Sequence, residues 1–525
     1  MKKITFSLLF MCMFVCAQGQ LLDNAALTNA KDYTDIDEAL KEPLKVYKLF
    51  LQAQKLTSMP KKIKEFKNLQ ILSLYNNQLS DLPKEIKELK NLQELNLNNN
   101  KFTNFPKQIL ELKTLERLYL VNNQLVNLPE RLTELENLKV LGVFNNRFQA
   151  SALAVVIGKL QKLEVLYIGA TLFPSLPAEI TTLKNLKVLD LSYARISDLP
   201  ESIINLSNLV ELNLTSTNLT SLPKEITKLG KLETLILDNN QLTSLPEEIK
   251  ELKNLRKLTL YDNKLTSIPD GITELENLEE LNLTLNKLTA LPEKIVALKK
   301  LRLLKLGANG FTALPEGIVK LKNLQVLNLA YSTLLASLPK GIAELKDLTE
   351  LDIYSTAMTT FPKEIVGLKN LKILSLGKIE VKSFPKELAE MKSLENLTFQ
   401  EIFDETGEVW ATDLPKGVYE LSNLTSLTIL NKNLAILPKE IGNLKKLTHL
   451  RVSEARISIL PKEIGELKEL KSLDLSGNQS LTTLPKEIIE LKKLVEINVG
   501  RTGISDGEKK KLKTILPPSC RIILR

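Results

Sequence analysis

The chain contains 525 residues and carries a formal net charge of +9, with one histidine and three cysteines. Its lysines alternate with glutamates, as in Lys84-Glu85, which is typical of a solvated surface and argues against a nucleic-acid site. The lone His449 has no second histidine to pair with, so it offers neither a metal-ligand set nor a nucleophile–base pair. The composition therefore predicts no enzyme, no cofactor and no metal, and we expect His449 to be a surface residue of a strand.

The N-terminus has the features of a secretory signal peptide over residues 1–19. Two lysines precede an apolar run, Ile4 to Val15, that is too short to span a bilayer. Small residues follow this run, so we predict cleavage before Gln20 and a protein that is secreted or held at the cell surface. A lipoprotein acylated on Cys16 is the alternative, although a bulky residue precedes that cysteine.

The cysteine content of the mature chain predicts no internal disulfide. Loss of the signal peptide leaves Cys520 as the one remaining thiol. Its position between Leu516 and the strand-like Ile522 predicts a buried residue of a C-terminal cap. Cysteine-rich caps, usual in eukaryotic extracellular repeat proteins, are missing from this sequence, which favours a bacterial origin.

A 23-residue repeat governs the rest of the chain. Eighteen of the 22 prolines fall in one slot of this repeat. From Leu69 the unit reads L-x-x-L-x-L-x-x-N-x-L-x-x-L-P-K-E-I-x-x-L-K-N, and it restarts at Leu92. Nineteen clear units and a degenerate first unit at Val46 occupy residues 46–504. Self-similarity at a fixed period of this length predicts a solenoid, in which each coil packs mainly on its neighbours.

Each segment of the unit predicts one structural element. The L-x-x-L-x-L stretch alternates around its inner leucines, which indicates a strand with one buried face, and equal spacing makes the strands parallel. The asparagine can satisfy backbone groups of its own loop and of the next one. The Leu-Pro step then predicts a short helix or 3₁₀ turn that begins near the proline.

The repeat resembles the leucine-rich repeat family through its L-x-x-L-x-L-x-x-N-x-L string. The L-P-x-x-I extension resembles the Ras-suppressor-like subclass, which is abundant among exported bacterial proteins. This resemblance implies an α/β fold, a right-handed horseshoe of about 20 repeats. Its concave face would carry a parallel β-sheet, and its convex face short helices or 3₁₀ turns. The resemblance also implies a role in adhesion or host interaction.

Several segments depart from the repeat. Residues 20–45 predict a helical N-terminal cap, and residues 505–525 predict a C-terminal cap with a helix and a strand. An insertion near 148–160 lacks the proline and favours an α-helix, and a second insertion lies near 403–413. The asparagine slot holds another residue at Thr171, Ala194, Thr217, Ser332, Thr356, Ile379, Ile402, Lys432, Ala455 and Thr502. We therefore expect residues 324–460 to be less regular in curvature.

Aromatic residues mark the candidate binding surface. Seven of the ten tyrosines fall at outward positions of the concave sheet, as does one phenylalanine. These residues are Tyr75, Tyr119, Phe144, Tyr167, Tyr193, Tyr261, Tyr331 and Tyr354. Phe50 takes the equivalent place in the first unit. Tyrosine also favours strands for structural reasons alone. The remaining outward residues, however, are mostly small, polar and uncharged, and such a Tyr/Ser/Asn surface is typical of recognition. We expect the main contact site between Tyr119 and Tyr193 and a second pair at Tyr331 and Tyr354.

Trp410, the one tryptophan, lies in the insertion near 403–413. It either packs against the flank of coils that lack asparagine or projects as a further anchor for the partner. Quenching of its fluorescence by iodide separates these alternatives, because a packed indole is shielded.

The sequence thus predicts an exported, non-enzymatic protein that binds a protein partner through its tyrosine-rich concave face. A glycan- or peptidoglycan-binding protein is the first alternative, since stacked tyrosines also bind sugars. A structural protein of the cell envelope is the second. The identity of the partner and the oligomeric state are left open.

Overall fold

The computed structural model of this protein describes residues 21–148, 150–171, 173, 175–358, 361–377, 386–400 and 416–524. The chain divides into two compact units, the first ending at Gln241 and the second beginning at Leu242. Each unit is a stack of coils, and a typical coil contributes one strand of a parallel sheet and one 3₁₀ turn. The predicted fold class, a solenoid of parallel strands and short helical turns, is confirmed. The predicted signal peptide lies outside the described residues.

The first unit contains ten strands and three α-helices within its described residues. The helices are α1 (Asn24–Asn29), α2 (Ile36–Ala39) and α3 (Ala150–Gly158). The strands are β1 (Asp32–Tyr33), β2 (Lys48–Phe50), β3 (Ile71–Ser73), β4 (Glu94–Asn96), β5 (Arg117–Tyr119), β6 (Val140–Gly142), β7 (Val165–Tyr167), β8 (Val188–Asp190), β9 (Glu211–Asn213) and β10 (Thr234–Ile236). The 3₁₀ turns are Pro43–Lys45, Lys61–Glu65, Lys84–Glu88, Lys107–Glu111, Glu130–Glu134, Ile180–Thr182, Glu201–Asn205 and Lys224–Lys228.

The second unit contains twelve strands and one α-helix, α4 (Asp506–Ile515), within its described residues. The strands are β11 (Lys257–Thr259), β12 (Glu280–Asn282), β13 (Leu303–Lys305), β14 (Val326–Asn328), β15 (Glu350–Asp352), β16 (Ile373–Gly377), β17 (Asn396–Gln400), β18 (Ser426–Leu430), β19 (His449–Ser453), β20 (Ser472–Asp474), β21 (Glu496–Asn498) and β22 (Arg521–Ile523). The 3₁₀ turns are Glu247–Glu251, Asp270–Glu274, Glu293–Ala297, Glu316–Lys320, Ile342–Glu344, Lys363–Gly367, Lys386–Glu390, Lys416–Glu420, Lys439–Asn443, Lys462–Glu466 and Lys486–Glu490.

The core is a ladder of leucines that the repeat places in register. Leu72 pairs with Leu95 on the next strand, and Leu95 with Leu118 on the one after, and all three are fully buried. On the other side of the coil, Pro83 has φ −67° and stands directly before the 3₁₀ turn, whose Ile86 is also fully buried. A single coil could not cover both layers, so the burial comes from stacking.

Buried asparagines connect successive coils. The side-chain Nδ2 of Asn100 donates to the carbonyl of Leu97 in its own coil (3.1 Å) and to that of Leu74 in the preceding coil (2.9 Å). Its Oδ1 accepts from the amide of Leu79, again in the preceding coil (2.9 Å). The repeat pattern predicts that this second coil is the following one. That detail is wrong, because the loop after each strand leans on the coil already behind it.

Coils without the asparagine close their turns in other ways. Thr171 keeps one bond, from its hydroxyl to the carbonyl of Ile168 (3.0 Å). At Ala194 and Ser332 the backbone amide itself donates three residues back, to Leu191 (3.0 Å) and Leu329 (3.2 Å). Strands β16 to β19 are each five residues long instead of three, and their coils all lack the asparagine. Its absence alone does not lengthen a strand, since the coils of Thr171, Ala194 and Ser332 keep strands of three residues. The less regular curvature expected for residues 324–460 stays a prediction.

Helices occupy both ends of the described chain. The side chain of Asp35 accepts from the amide of Glu38 and caps α2, and Ser505 caps α4 by accepting from the amide of Glu508. Cys520 follows α4 and is only half-buried, so the expectation of a buried cysteine is wrong. Burial nevertheless raises the pKa of its thiol.

Candidate partner-binding surface

The predicted aromatic residues occupy three columns on the outward face of the sheet. We number positions within a coil from its first leucine, so that Leu69 is position 1 and strand β3 covers positions 3 to 5. The two inner strand neighbours of a buried leucine, at positions 3 and 5, face outward, as the alternating burial of β5 and β7 illustrates. Position 5 holds Tyr119 and Tyr167; position 7 holds Tyr75, Phe144, Tyr261 and Tyr354; position 8 holds Tyr193 and Tyr331.

Position 8 adopts a left-handed backbone in coil after coil. Asn76, Asn99, Asn122 and Asn145 occupy it with φ between 52° and 56°, a conformation that asparagine tolerates better than most residues. Tyr193 and Tyr331 adopt the same conformation, with φ of 58° and 62°. A bulky side chain there is strained, and strain of this kind concentrates at functional sites. Both rings are nevertheless held out in solvent, with 59% and 56% of their surface exposed.

The first aromatic cluster consists of Tyr119, Phe144, Tyr167 and Tyr193. Phe144 and Tyr193 meet edge to face, with ring centroids 6.3 Å apart and an interplanar angle of 82°. They do so although another coil lies between the two coils that carry them. The ring of Phe144 reaches across because the intervening coil has Gly169 at position 7. A methyl group on Gly169 would lie 2.8 Å from ring carbon Cδ2 and 2.1 Å from the carbonyl oxygen of Ser192. Glycine is therefore required both by the next coil and by the ring.

The strand members of the first aromatic cluster lie on either side of a glycine. In the register of the sheet, Tyr119 pairs with Gly142, and Gly142 pairs with Tyr167. Burial raises the pKa of both tyrosines, and the carboxylates of Glu211 and Asp190 add to the rise for Tyr167. The rings are thus partly desolvated and Tyr167 lies in a negative field.

The second aromatic cluster, in the second unit, consists of Tyr331 and Tyr354. Their ring centroids are 5.0 Å apart and their planes meet at 75°, an edge-to-face pair. Tyr354 lies over Gly377, at position 7 of the following coil, where a methyl group would be 2.7 Å from ring carbon Cδ2. Both clusters therefore share one construction: a position-7 ring packed over a position-7 glycine, and a partner ring at left-handed position 8.

Other predicted residues lie apart from the clusters. Tyr75 and Tyr261 are on the same face in other coils and are more than one-third exposed, and Phe50 is half-buried. His449 is exposed at the start of β19, and its Nδ1 lies 2.8 Å from the hydroxyl of Thr448. Trp410 lies outside the described residues.

The expectation of a face with little charge is wrong at the start of the strands. Position 3 carries many ionised side chains that pair across neighbouring coils, such as Arg117 with Glu94 (2.7 Å) and Lys257 with Glu280 (3.2 Å). Charge also occurs at position 8, where Glu454 and Arg501 pair at 3.0 Å, so the uncharged character predicted from the sequence does not describe the whole face.

Sequence reasoning missed both structural devices of the clusters, the left-handed position and the glycine beneath a ring. The first had a signal in the consecutive pairs Asn76-Asn77 and Asn99-Asn100, since repeated asparagine before the buried one suggests a left-handed residue. The second had a signal in the repeat register, where Gly169 and Gly377 stand one coil after an aromatic residue at the same position.

Comparison with known proteins identifies the family. The profile described as a leucine-rich repeat region matches residues 42–171, 211–289, 326–436 and 436–515, and a second leucine-rich repeat profile matches residues 161–219. The chain belongs to the leucine-rich repeat family. A sequence search among curated proteins found no match for this leucine-rich repeat protein.

Solved structures of other leucine-rich repeat proteins are similar to it. A leucine-rich repeat protein of Leptospira interrogans is 34% identical, with 94% of this chain and 99% of that one covered and a TM-score of 0.46. The Arabidopsis receptor kinase HAESA, solved with the peptide hormone IDA and the co-receptor SERK1, is 25% identical, with 86% and 82% covered and a TM-score of 0.54. The plant peptide hormone receptor RGFR1, solved with RGF2, is 24% identical, with 91% and 94% covered and a TM-score of 0.53.

The described part of this leucine-rich repeat protein lacks two features of other protein classes. No helix there is both long and apolar enough to cross a membrane. Nor do three or more histidine, cysteine or acidic side chains come together there as a metal site would require.

Proposed function

We propose that this leucine-rich repeat protein is an exported, non-enzymatic binding protein of the Ras-suppressor-like subclass, and that it captures a protein partner through its two aromatic clusters. The observation that carries the proposal is the placement of Tyr193 and Tyr331, two bulky rings held exposed on strained backbone. The fold alone does not require these rings, because asparagine or alanine occupies the same position in other coils.

The arrangement has the chemistry of a protein-recognition surface. Tyrosine supplies a large, rigid contact area at a low cost in conformational entropy, and it is enriched at the residues that dominate binding energy. The edge-to-face packing orients each ring before the partner arrives, which reduces the entropy lost on binding. HAESA, a leucine-rich repeat receptor of similar fold, was solved with a bound peptide hormone, which adds support for a protein or peptide partner.

A substitution by asparagine tests the proposal without unfolding the protein. Tyr193→Asn relieves a left-handed strain of about 1–2 kcal/mol. It also removes a ring pair with Phe144 worth about 0.5–1.5 kcal/mol. These effects nearly cancel, so the stability of the variant should stay within about 1 kcal/mol of the wild type. Tyr331→Asn is expected to behave in the same way.

The matched control is Leu285→Asn. Leu285 is also left-handed (φ 61°) and 39% exposed, but it belongs to neither cluster. Residues 20–525 of the wild type, of the double variant Tyr193→Asn/Tyr331→Asn and of the control would be immobilised and exposed to serum, matrix and cell-surface proteins. We expect the wild type and the control to capture the same protein and the double variant to lose it. Equal capture by all three would refute the proposal, and hits on a glycan array that depend on the tyrosines would favour sugar recognition instead.

A further inference from the structure

The negative charge beside both aromatic clusters has no structural explanation in the fold. Position 5 of many coils carries an acceptor that receives the backbone amide of position 7. Asparagine does this at five coils: Asn96 (3.0 Å), Asn213 (3.0 Å), Asn282 (3.1 Å), Asn328 (3.2 Å) and Asn498 (3.0 Å). Asp190 and Asp352 accept the same bond, from Ser192 (2.8 Å) and Tyr354 (3.1 Å). A neutral acceptor therefore serves this turn as well as a charged one.

The two aspartates lie within the clusters. Asp190 pairs with Tyr167 in the register of the sheet and stands three residues before Tyr193. Asp352 stands two residues before Tyr354, and its second oxygen accepts from the side-chain amide of Asn328 (3.0 Å). Burial raises the pKa of Asp352, so the ionised form is disfavoured at this site. An asparagine would make the same turn without that cost.

Neither aspartate has a cationic partner among the described residues. The hydrogen-bond donors to Asp352 are neutral amides, and the charged neighbour that acts on it is Glu350, a second acid. Around Asp190 the neighbouring acid is Glu211, one strand further on. By contrast, Arg117 beside Tyr119 is neutralised by Glu94 (2.7 Å). Local negative charge thus accompanies exposed aromatic faces in a protein whose net charge is +9.

We infer that each aromatic cluster receives a lysine or arginine side chain from a basic segment of the protein partner. This inference rests on the proposed function and specifies the chemistry of the partner. A cation over a tyrosine face is attracted by the ring, and a carboxylate beside the ring adds a charge partner. The protein already contains one such contact in its N-terminal part, where the Nζ of Lys31 lies 4.3 Å from the ring centre of Tyr33.

Designed peptides test this inference. The probes are acetylated and amidated peptides of repeated Gly-Ser-Arg units, together with matched peptides in which glutamine or glutamate replaces arginine. Binding to residues 20–525 would be followed by fluorescence anisotropy at low and at physiological salt. Residues 20–525 carry a net charge of +7, because the +9 of the full chain includes Lys2 and Lys3. This charge favours the glutamate peptide through non-specific attraction, so preference for arginine has to come from a local site.

Substitutions of the two aspartates by asparagine locate the site. The variants Asp190→Asn and Asp352→Asn both retain the bond to the turn, and Asp352→Asn also loses the bond from the side-chain amide of Asn328. Each should weaken binding of the arginine peptide at its own cluster by about fivefold. The control is Asp474→Asn: Asp474 receives the same turn bond from Ser476 (2.9 Å), but it belongs to neither cluster and pairs with Arg451 (3.3 Å). This control should bind like the wild type.

The outcomes separate the inference from the proposed function. A preference of about tenfold for arginine over glutamine that both cluster variants reduce supports the inference. Preference for glutamate, binding of no peptide, or an equal effect of Asp474→Asn overturns it. If the tyrosine variants still lose the captured partner in that case, the proposed function stands and only the basic character of the partner is wrong.

Discussion

Replacement of Asn123 by alanine should destabilise the first unit more than replacement of its exposed neighbour Asn122 by glycine. The Nδ2 of Asn123 donates to the carbonyls of Leu97 (3.0 Å) and Leu120 (3.1 Å), and its Oδ1 accepts from the amide of Phe102 (3.1 Å). The side chain is 8% exposed, so water cannot simply take its place. An orphaned buried amide costs about 1–3 kcal/mol, and each lost bond to a carbonyl about 0.5–1 kcal/mol. We expect a total loss of about 3 kcal/mol in the free energy of unfolding.

Two matched variants calibrate that figure. Asn123→Thr should lose less, because a threonine hydroxyl can keep the bond to its own coil, as Thr171 does with Ile168 (3.0 Å). Asn122→Gly removes an exposed amide from a left-handed residue that glycine tolerates, and should cost no more than about 1 kcal/mol.

Urea unfolding followed by circular dichroism measures the global change in these variants. Hydrogen exchange at the amide of Phe102 reports the local effect, which matters because coils of a repeat protein can open separately. An Asn123→Ala variant with the stability of Asn122→Gly and an unchanged exchange rate at Phe102 would refute the account of the asparagine ladder.

Three further predictions concern a carboxylate, two glycines and a thiol. Hydrogen bonding to Arg131 lowers the pKa of Glu134 from 4.5 to about 2. The ion pair therefore contributes to stability above about pH 4.5, and this contribution is lost as the pH falls towards 2. An NMR titration that gives the Glu134 carboxyl a pKa near 4.5 would contradict this. The methyl group of Gly230→Ala would meet no atom within 4 Å, so this variant should be more stable by about 0.4–1 kcal/mol. The methyl group of Gly142→Ala would lie 3.2 Å from the ring of Tyr119 and should lower stability. Thermal unfolding compares the two variants. Cys520, half-buried and with a raised pKa, should react with a disulfide reagent more slowly than a free thiol at pH 8; equal rates would show it to be accessible.

The repeat made the fold predictable, because each buried leucine and each proline recurs with the period of one coil. Tyr119 and Tyr167 could be assigned to the sheet face by simple alternation. The approach of Phe144 to Tyr193 could not, since it depends on Gly169 leaving room for a ring to cross one coil. Side-chain direction at position 8 depends on a backbone torsion that the leucine pattern does not encode. Tyr193 and Tyr331 were therefore recognised as outward residues, but their strain was not anticipated.

The left-handed position also bears on how such a protein could acquire new partners. Residues as different as Asn145, Ala170, Leu285 and Arg501 share that backbone conformation, and the leucine core lies behind all of them. The side chain at this position can therefore vary with small, local consequences for folding, while specificity changes one coil at a time. A library randomised only at this column would keep the scaffold constant and sample many binding surfaces, with the aromatic pairs as two solutions that the chain already contains.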